Sequence, residues 1–248
     1  MITGLTALIL AAGKGTRMRS PLPKVLHSFL GQPLLHHVMD AAGGAGASHT
    51  VVVVGYGAED VRTAVESSGR WSASFAIQTE QLGTGHAVMC GLGSLPPVTE
   101  YVMILSGDVP GIRAETLAEL VKKLAVPSCP LSMLTFWPDD PTGYGRVLRD
   151  ADGRVRCIRE EKDASPDERR VQECNAGVYV VAREVLDHEL VNLGDNNASG
   201  EIYLTDLVEI VARTHAVETL RASPDEVAGV NTPEQLEALE RRATRSSG

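Results

Sequence analysis

The sequence predicts an α/β fold, a doubly wound mixed sheet carrying a smaller β-rich lobe, and three observations predict it. Short apolar runs rich in β-branched residues recur at 5–12, 50–55, 74–78, 101–106 and 131–136. Several are continuous rather than alternating, as strands covered on both faces require. Helical patterns lie between them, and repeated strand–helix–strand order is the mark of a doubly wound layer.

Each element has a local reason. Leu5–Ala12 is an apolar strand that stops at a glycine-rich turn. In PLLHHVMDAAGGAGA, Pro33 suits a first helical turn, and Leu34, Val38 and Ala41 fall along one side. Strands at Thr50–Gly55, Ser74–Gln78, Tyr101–Ser106 and Leu131–Phe136 alternate with helices at Glu59–Ser67, Gly85–Gly93 and Ala114–Leu124. After residue 138 the rhythm changes. GRVLRDADGRVRCIRE reads as a hairpin about Asp152–Gly153, and Gly177–Ala182 as a further strand. This second part is expected to add antiparallel strands to one edge and wall off a pocket. Thr232, Pro233 and Gln235 form a helix-start signal of cap, first-turn proline and capping-box partner for PEQLEALERRA. The final TRSSG is expected to fray. No internal repeat or low-complexity linker interrupts the chain, so one domain with two lobes is expected.

At 248 residues, with 43% hydrophobic and 22% charged residues, the composition is that of a globular chain large enough for a substantial core. A net charge of −9 argues against a general nucleic-acid or membrane-surface binder, because both partners are polyanions. The charge is unevenly placed: residues 1–39 carry +4, from Lys14, Arg17, Arg19 and Lys24, and the remainder −13. A local cationic patch on an anionic body suits a small anionic ligand. The four cysteines form no C-x-x-C pair and read as buried thiols rather than zinc or redox ligands. No apolar run approaches ~18 residues and no signal-type segment opens the chain, so a cytoplasmic location is expected.

The chemistry gathers at strand ends. Gly13 and Gly15 let backbone N–H groups approach an anion, and Lys14, Arg17 and Lys24 can neutralise phosphate charge. A glycine-rich turn with solvated bases is the alternative. Two familiar nucleotide loops do not fit: Lys14 is followed by Gly15 rather than Ser or Thr, and Met18 stands where a dinucleotide loop has its third glycine. In MILSGDVP an apolar strand runs into Ser106, Gly107 and Asp108, where a carboxylate can hold a divalent metal or merely cap a turn. Asn231 offers a neutral oxygen just before the last helix, or serves as a turn residue. In QTEQLGTGHA the amides of Gln78 and Gln81 suit a nucleobase edge, since each offers a donor and an acceptor. No G-x-S-x-G elbow or H-E-x-x-H pair occurs, which disfavours a covalent intermediate or zinc.

L-A-A-G-K-G-T-R-M at 10–18, followed by P-K at 23–24, resembles the nucleotidyltransferase signature of sugar-phosphate pyrophosphorylases. Further stretches follow in order: Q-L-G-T-G-H-A at 81–87, G-D-V-P at 107–110, D-P-T-G-Y-G-R at 140–146, E-x-K-D at 160–163, N-A-G at 175–177, G-E-x-Y-L-T-D at 200–206 and G-V-N at 229–231. As a set they are similar to the uridyltransferase domains of bifunctional N-acetylglucosamine-1-phosphate uridyltransferase/glucosamine-1-phosphate acetyltransferases. The first motif alone indicates only the superfamily; the ordered set is specific and covers nearly the whole chain.

The resemblance implies a Rossmann-like nucleotidyltransferase domain over residues 1–231, with a sugar-binding lobe at about 139–205 and a C-terminal helix and tail at 232–248. It implies uridylyl transfer from UTP to N-acetylglucosamine 1-phosphate, with Mg²⁺, for cell-wall and glycan precursors. Leu10, Ala11, Ala12 and Gly13 would contact the uridine nucleotide, with Gln78, Gly83 and Thr84 reading uracil. Arg17 and Lys24 would hold the triphosphate, and Asp108 and Asn231 would bind Mg²⁺. Ser106 and Gly107 would line the substrate site, and Tyr144, Gly145, Glu160 and Asn175 would grip the sugar. Two positions depart from the family: Ser106 stands where other members can carry tyrosine, and Ala176 where threonine is common. Ala176 keeps a backbone contact and loses a hydroxyl. The family's acetyltransferase half is a left-handed β-helix of hexapeptide repeats; none occurs here, so acetyl transfer is not expected of these residues. Family members assemble largely through that half, so a monomer is the expectation without it. Transfer to another sugar phosphate or from another nucleotide, or a non-catalytic nucleotide sensor, are the alternatives.

Overall fold

Apolar β-branched runs separated by amphipathic segments produce the layered sheet that their pattern requires. The computed structural model describes residues 3–126 and 128–246. Strand β1 (Leu5–Ala11) leads into 3₁₀ turns at Thr16–Met18 and Lys24–Leu26 and a small ribbon, β2 (Ser28–Phe29) and β3 (Gln32–Pro33). Then come α1 (Leu34–Gly44), β4 (His49–Val54), α2 (Ala58–Ser68), β5 (Ala73–Ile77), α3 (Thr84–Leu92), β6 (Tyr101–Ser106), α4 (Ala114–Lys123) and β7 (Leu131–Phe136). The second lobe contains the hairpin β8 (Arg146–Arg149) and β9 (Val155–Arg159), and the chain returns through β10 (Cys174–Ala182) and α5 (Arg183–Glu189). It closes with α6 (Asp206–Ala212), β11 (Val217–Arg221) and α7 (Pro233–Ser246).

Among the described residues the main sheet runs β11-β7-β10-β6-β1-β4-β5, with the β8–β9 hairpin attached to β10. Strands β6, β1, β4 and β5 are parallel to one another. Strand β10 lies antiparallel to both β6 and β7. The expectation of an antiparallel addition at one edge is therefore corrected: the reversed strand is inserted in the middle of the sheet, and β11 forms the edge, parallel to β7. Val178, Val180 and Val181 are 0–1% exposed, and an edge position could not cover both faces of such a run.

Alternation along β1 divides the core. Leu5, Ala7, Ile9 and Ala11 face a layer shared with Leu35, Val38 and Met39 of α1 and Leu117 and Leu120 of α4. Leu8 faces the opposite layer, with Ala87 and Val88 of α3 and Leu207, Val208 and Val211 of α6. A third cluster, Met18, Phe29, Leu34, Val230 and Leu239, ties the basic loop and the 230 segment beneath α7. Pro33 lies one residue outside α1 with ψ 142°, so it precedes the helix rather than forming its first turn. Thr232 caps α7 as expected, accepting from Gln235 N at 3.3 Å. The reciprocal arm differs: Gln235 Oε1 accepts from Asn231 N at 2.8 Å, which pins the residue before the cap. The helix includes residues 244–246 of the tail, and 247–248 lie outside the described residues. No helix among the described residues is long and apolar enough to cross a membrane.

The connection from β1 leaves through α1 towards β4, whereas β5 returns through α3 to β6 on the other side of β1. The carboxyl ends of β1 and β6 are thus the switch point of the sheet, where open α/β sheets form a ligand crevice. Leu10 is paired with Ser106 there.

Candidate nucleotide and sugar-phosphate site

A cleft of about 270 Å³ opens at this switch point. Its wall includes Leu10, Ala11, Ala12 and Gly13 from the end of β1, Ser106 and Asp108 from β6, and Gln78, Gly83 and Thr84 from the turn before α3. Lys24 reaches it from the second 3₁₀ turn. Val25, Gln81, Ala87 and Glu201 complete the lining. Ten of the expected substrate contacts are therefore neighbours around one opening.

The charged edge is built from three remote parts of the chain. The Lys24 ammonium donates to Asp108 Oδ2 and, at 3.1 Å, to Asn231 Oδ1. Arg17 Nη2 donates to the same Asn231 oxygen at 2.9 Å. A backbone bond from Val230 N to Asp108 O, 2.9 Å, fastens the 230 segment to the β6 exit. The sequence-based reason for expecting an anion, four bases without an acid nearby, is thereby modified. Lys24 finds its acid 84 residues away in Asp108. The Lys14 ammonium stands 5.9 Å from the centre of the Tyr56 ring.

Asp108 and Asn231 both direct a side-chain oxygen at one cation, the ammonium. Two hard oxygen donors converging on a positive charge fit Mg²⁺, which takes one or two protein oxygens and fills its other positions with phosphate and water. Among the described residues no group of three or more His, Cys, Asp and Glu could form an all-protein cage.

Gly15 sets the position of Lys24. Its φ is 61°, and a Cβ there would lie 2.6 Å from Lys24 Cβ. Gly15→Ala combines a left-handed alanine, costing about 1–2 kcal/mol, with a push on the Lys24 stem. We expect turnover to fall by about tenfold, the cost of some 1.4 kcal/mol in transition-state stabilisation. Steady-state kinetics beside a denaturant titration would check this; an unchanged kcat would mean that Lys24 is not positioned by this contact.

Several of the expected site residues also have partners within the protein. The Gln78 side chain is 4% exposed; its Nε2 donates to Gly83 O at 3.2 Å and lies 3.2 Å from His86 Nδ1. One of its amide N–H donors thus braces the turn, while the residue still lines the cleft. Gly107 lies behind the cleft wall, where N–H donation to Leu10 O at 3.0 Å joins the strand ends. Tyr144 packs edge-on against Phe136, with ring centres 4.9 Å apart, and its carbonyl accepts from Arg146. Its ring is therefore not part of the cleft wall.

Gly145, Glu160 and Asn175 form a second cluster beside the cleft rather than in its wall. Asn175 N donates to Gly145 O at 2.9 Å, and a Cβ on Gly145 would meet both Glu160 oxygens at 3.4 Å. The Asn175 amide is oriented by two bonds: Oδ1 accepts from Gly177 N at 3.1 Å, and Nδ2 donates to the Tyr179 hydroxyl at 2.7 Å. Gly177 in turn borders Ser106, 4.0 Å from Oγ to a built Cβ, so the two clusters adjoin across β10 and β6. Burial pushes the Glu160 carboxyl above the usual range; Thr205 opposes that rise by hydrogen bonding, while Asp206, Asp163 and Glu201 add to it. Burial, with the nearby Glu160 charge, also raises the Tyr179 phenol. Tyr179 did not stand out from local chemistry, and Glu201 and Thr205 were visible only as part of G-E-x-Y-L-T-D.

The family model of the MobA-like NTP transferase domain matches residues 7–189, about three quarters of the chain. The chain belongs to the MobA-like NTP transferase family. Among its relatives are proteins named bifunctional protein GlmU. That of Chromohalobacter salexigens is 50% identical over 244 residues, covering 97% of this chain and 52% of that protein. That of Paraburkholderia phymatum is 47% identical over 240 residues, covering 96% and 51%. That of Sorangium cellulosum is 45% identical over 244 residues, covering 96% and 51%. This NTP transferase family member thus spans about half the length of the curated relatives it matches. A solved UDP-glucose pyrophosphorylase complexed with UDP-glucose has the same fold, with a TM-score of 0.79 at 15% identity, covering 97% of this chain and 98% of that one.

Proposed function

We propose that the protein transfers a uridylyl group from UTP to N-acetylglucosamine 1-phosphate, giving UDP-N-acetylglucosamine and pyrophosphate. The observation that carries this reading is the meeting of Lys24, Arg17, Asp108 and Asn231 at the cleft of the sheet's switch point, with the Gly145–Glu160–Asn175 cluster adjoining it. The GlmU relatives support the choice of uridine and N-acetylglucosamine. Residues 139–205 would then form the sugar-binding lobe and the remaining core the nucleotide-binding part.

A phosphate oxygen of the sugar phosphate attacks the α-phosphorus of UTP; a new P–O bond forms as the bond to the β-phosphate oxygen breaks, and pyrophosphate carries away the electron pair. The nucleophile is already anionic at neutral pH, so no general base is needed. Mg²⁺ held by Asp108 and Asn231 would neutralise phosphate charge and align the two substrates. Lys24 and Arg17 supply fixed positive charge where charge accumulates in the transition state. The β1 end and the turn before α3 hold the nucleoside, which converts an encounter of two anions into an aligned displacement.

The test is pyrophosphate release across four nucleoside triphosphates and a panel of sugar 1-phosphates. UTP with N-acetylglucosamine 1-phosphate is expected to exceed other pairs in kcat/KM by about 10²-fold or more, since polar recognition leaves buried groups unpaired with the wrong partner. Preference for a different pair would reassign the substrates. No release from any pair, together with UTP–Mg²⁺ raising the melting temperature, would make the protein a nucleotide sensor.

A further inference from the structure

The segment 201–205 carries side chains that the reading above leaves without a role. Its backbone is fastened to the turn of the nucleotide cleft at three points. Ile202 N donates to Leu82 O at 2.7 Å, Gly85 N donates to Ile202 O at 2.8 Å, and Leu204 N donates to Thr84 Oγ1 at 3.0 Å. One residue further on, the Thr205 hydroxyl donates to Glu160 Oε1 at 3.0 Å. Thr205 precedes α6, where a threonine side chain commonly caps its own helix. Here it makes no cap bond, and its hydroxyl, on a residue 5% exposed, goes instead to the Glu160 carboxylate beyond β9.

We propose that Thr205 is a positioning residue for sugar-phosphate recognition, setting the Glu160 carboxylate so that its free oxygen faces a sugar hydroxyl. The assignment rests on the reading that Glu160 contacts the sugar. Two contacts define the carboxylate's orientation. Gly145, with no side chain, lets both oxygens lie close to its Cα, and Thr205 binds one of them. A carboxylate oxygen has room for two acceptor interactions, so Oε2 remains available to a hydroxyl donor. Asp206, Asp163 and Glu201 repel Glu160. Thr205 is the hydrogen-bond donor that opposes this repulsion, and without it the carboxylate turns towards water. The same segment anchors the nucleotide turn, so the sugar-side acceptor is held at a set separation from the nucleoside.

The experiment measures both Michaelis constants for the full chain and for Thr205→Val, Thr205→Ala, Thr205→Ser and Glu160→Gln, with thermal melting of each. Thr205→Val is expected to raise KM for N-acetylglucosamine 1-phosphate about tenfold, as loss of one charge-assisted hydrogen bond implies, while KM for UTP stays within about twofold. Thr205→Ala should do the same and serves if the valine variant does not fold; Thr205→Ser should recover the sugar-phosphate KM because it restores the donor. Equal rises in both constants, no rise in either, or failure of serine to recover would overturn the assignment. If Glu160→Gln leaves the sugar-phosphate KM unchanged, the Glu160 reading falls and the Thr205 role falls with it. If Glu160→Gln raises that constant and Thr205→Val does not, only the positioning role falls.

Discussion

Asp108→Asn is expected to lower metal-dependent pyrophosphate release by about 10³-fold or more, as removal of a charged group that acts on the transition state implies. The fold should survive. The residue follows β6, whose Val102, Met103, Ile104 and Leu105 are 0–1% exposed, and the bond from Val230 N to Asp108 O involves backbone alone. Asparagine keeps an oxygen that can accept from Lys24, so the neighbouring ammonium is not stranded. What it loses is the negative charge. With Asn231 already neutral, the pair of oxygens at this point would carry no formal charge, and hard divalent cations bind such a pair weakly. Titrating Mg²⁺ against kcat, alongside a thermal melt, separates lost chemistry from lost structure. A variant that kept most of its turnover at the parent's Mg²⁺ requirement would remove Asp108 from the metal site.

The nucleotide half of this arrangement was legible because it depends on chain-local features. Both Leu5–Ala11 and Tyr101–Ser106 are mostly apolar on successive residues, which marks strands covered on both faces, and each is followed within three residues by a glycine and a charged residue. Ligand groups at parallel strand ends then follow from topology. Strand β10 was recognised as a strand but assigned to the wrong place, because its seat between β6 and β7 is decided by pairing with residues about 40 to 80 positions away. Helix α6 and strand β11 went unread for another reason. The helix has only seven residues, and VETLR is half-buried along an edge, so neither gives a long periodic signal.

The same division holds among the site residues. Asn231 could be seen as an oxygen donor or a turn residue; only the fold brings it to Lys24 and Arg17, more than 200 residues away. Its backbone is fixed by the side chain of Gln235, whose own N–H bonds Thr232 as the helix-start signal expects. Gln78 shows the opposite case. Its amide has the chemistry for a base, and in the fold one of its N–H donors also holds the Gly83 carbonyl of the turn. Residue type tells what a side chain can do, and packing decides which of those options is already used.

Lys24→Ala is expected to slow turnover by about 10²- to 10³-fold, the scale of losing one fixed charge donor to a transition state, and at the same time to strengthen divalent-ion binding without nucleotide. The two effects have one origin. In the free protein the ammonium is shared between Asp108 and Asn231, the oxygens a divalent ion would use. Removing it leaves a carboxylate that is only 15% exposed and lacks its nearest positive charge. A unit charge at this range is worth several kcal/mol at an effective dielectric near 20, so even after solvent relaxation a tenfold gain in Mn²⁺ affinity is expected. During turnover the balance reverses, since the phosphates lose one of their two fixed cations; the other, Arg17, contacts Asn231 alone of the pair. Lys24→Arg should recover turnover only in part, because the broad planar guanidinium replaces a compact ammonium in a position bounded by Gly15. Calorimetric or spectroscopic titration with Mn²⁺, beside kcat from pyrophosphate release, reads both effects on one preparation. Unchanged turnover would take Lys24 away from the phosphates. Reduced turnover with unaltered Mn²⁺ affinity would leave it there but show that the ammonium and the metal do not compete for the same two oxygens.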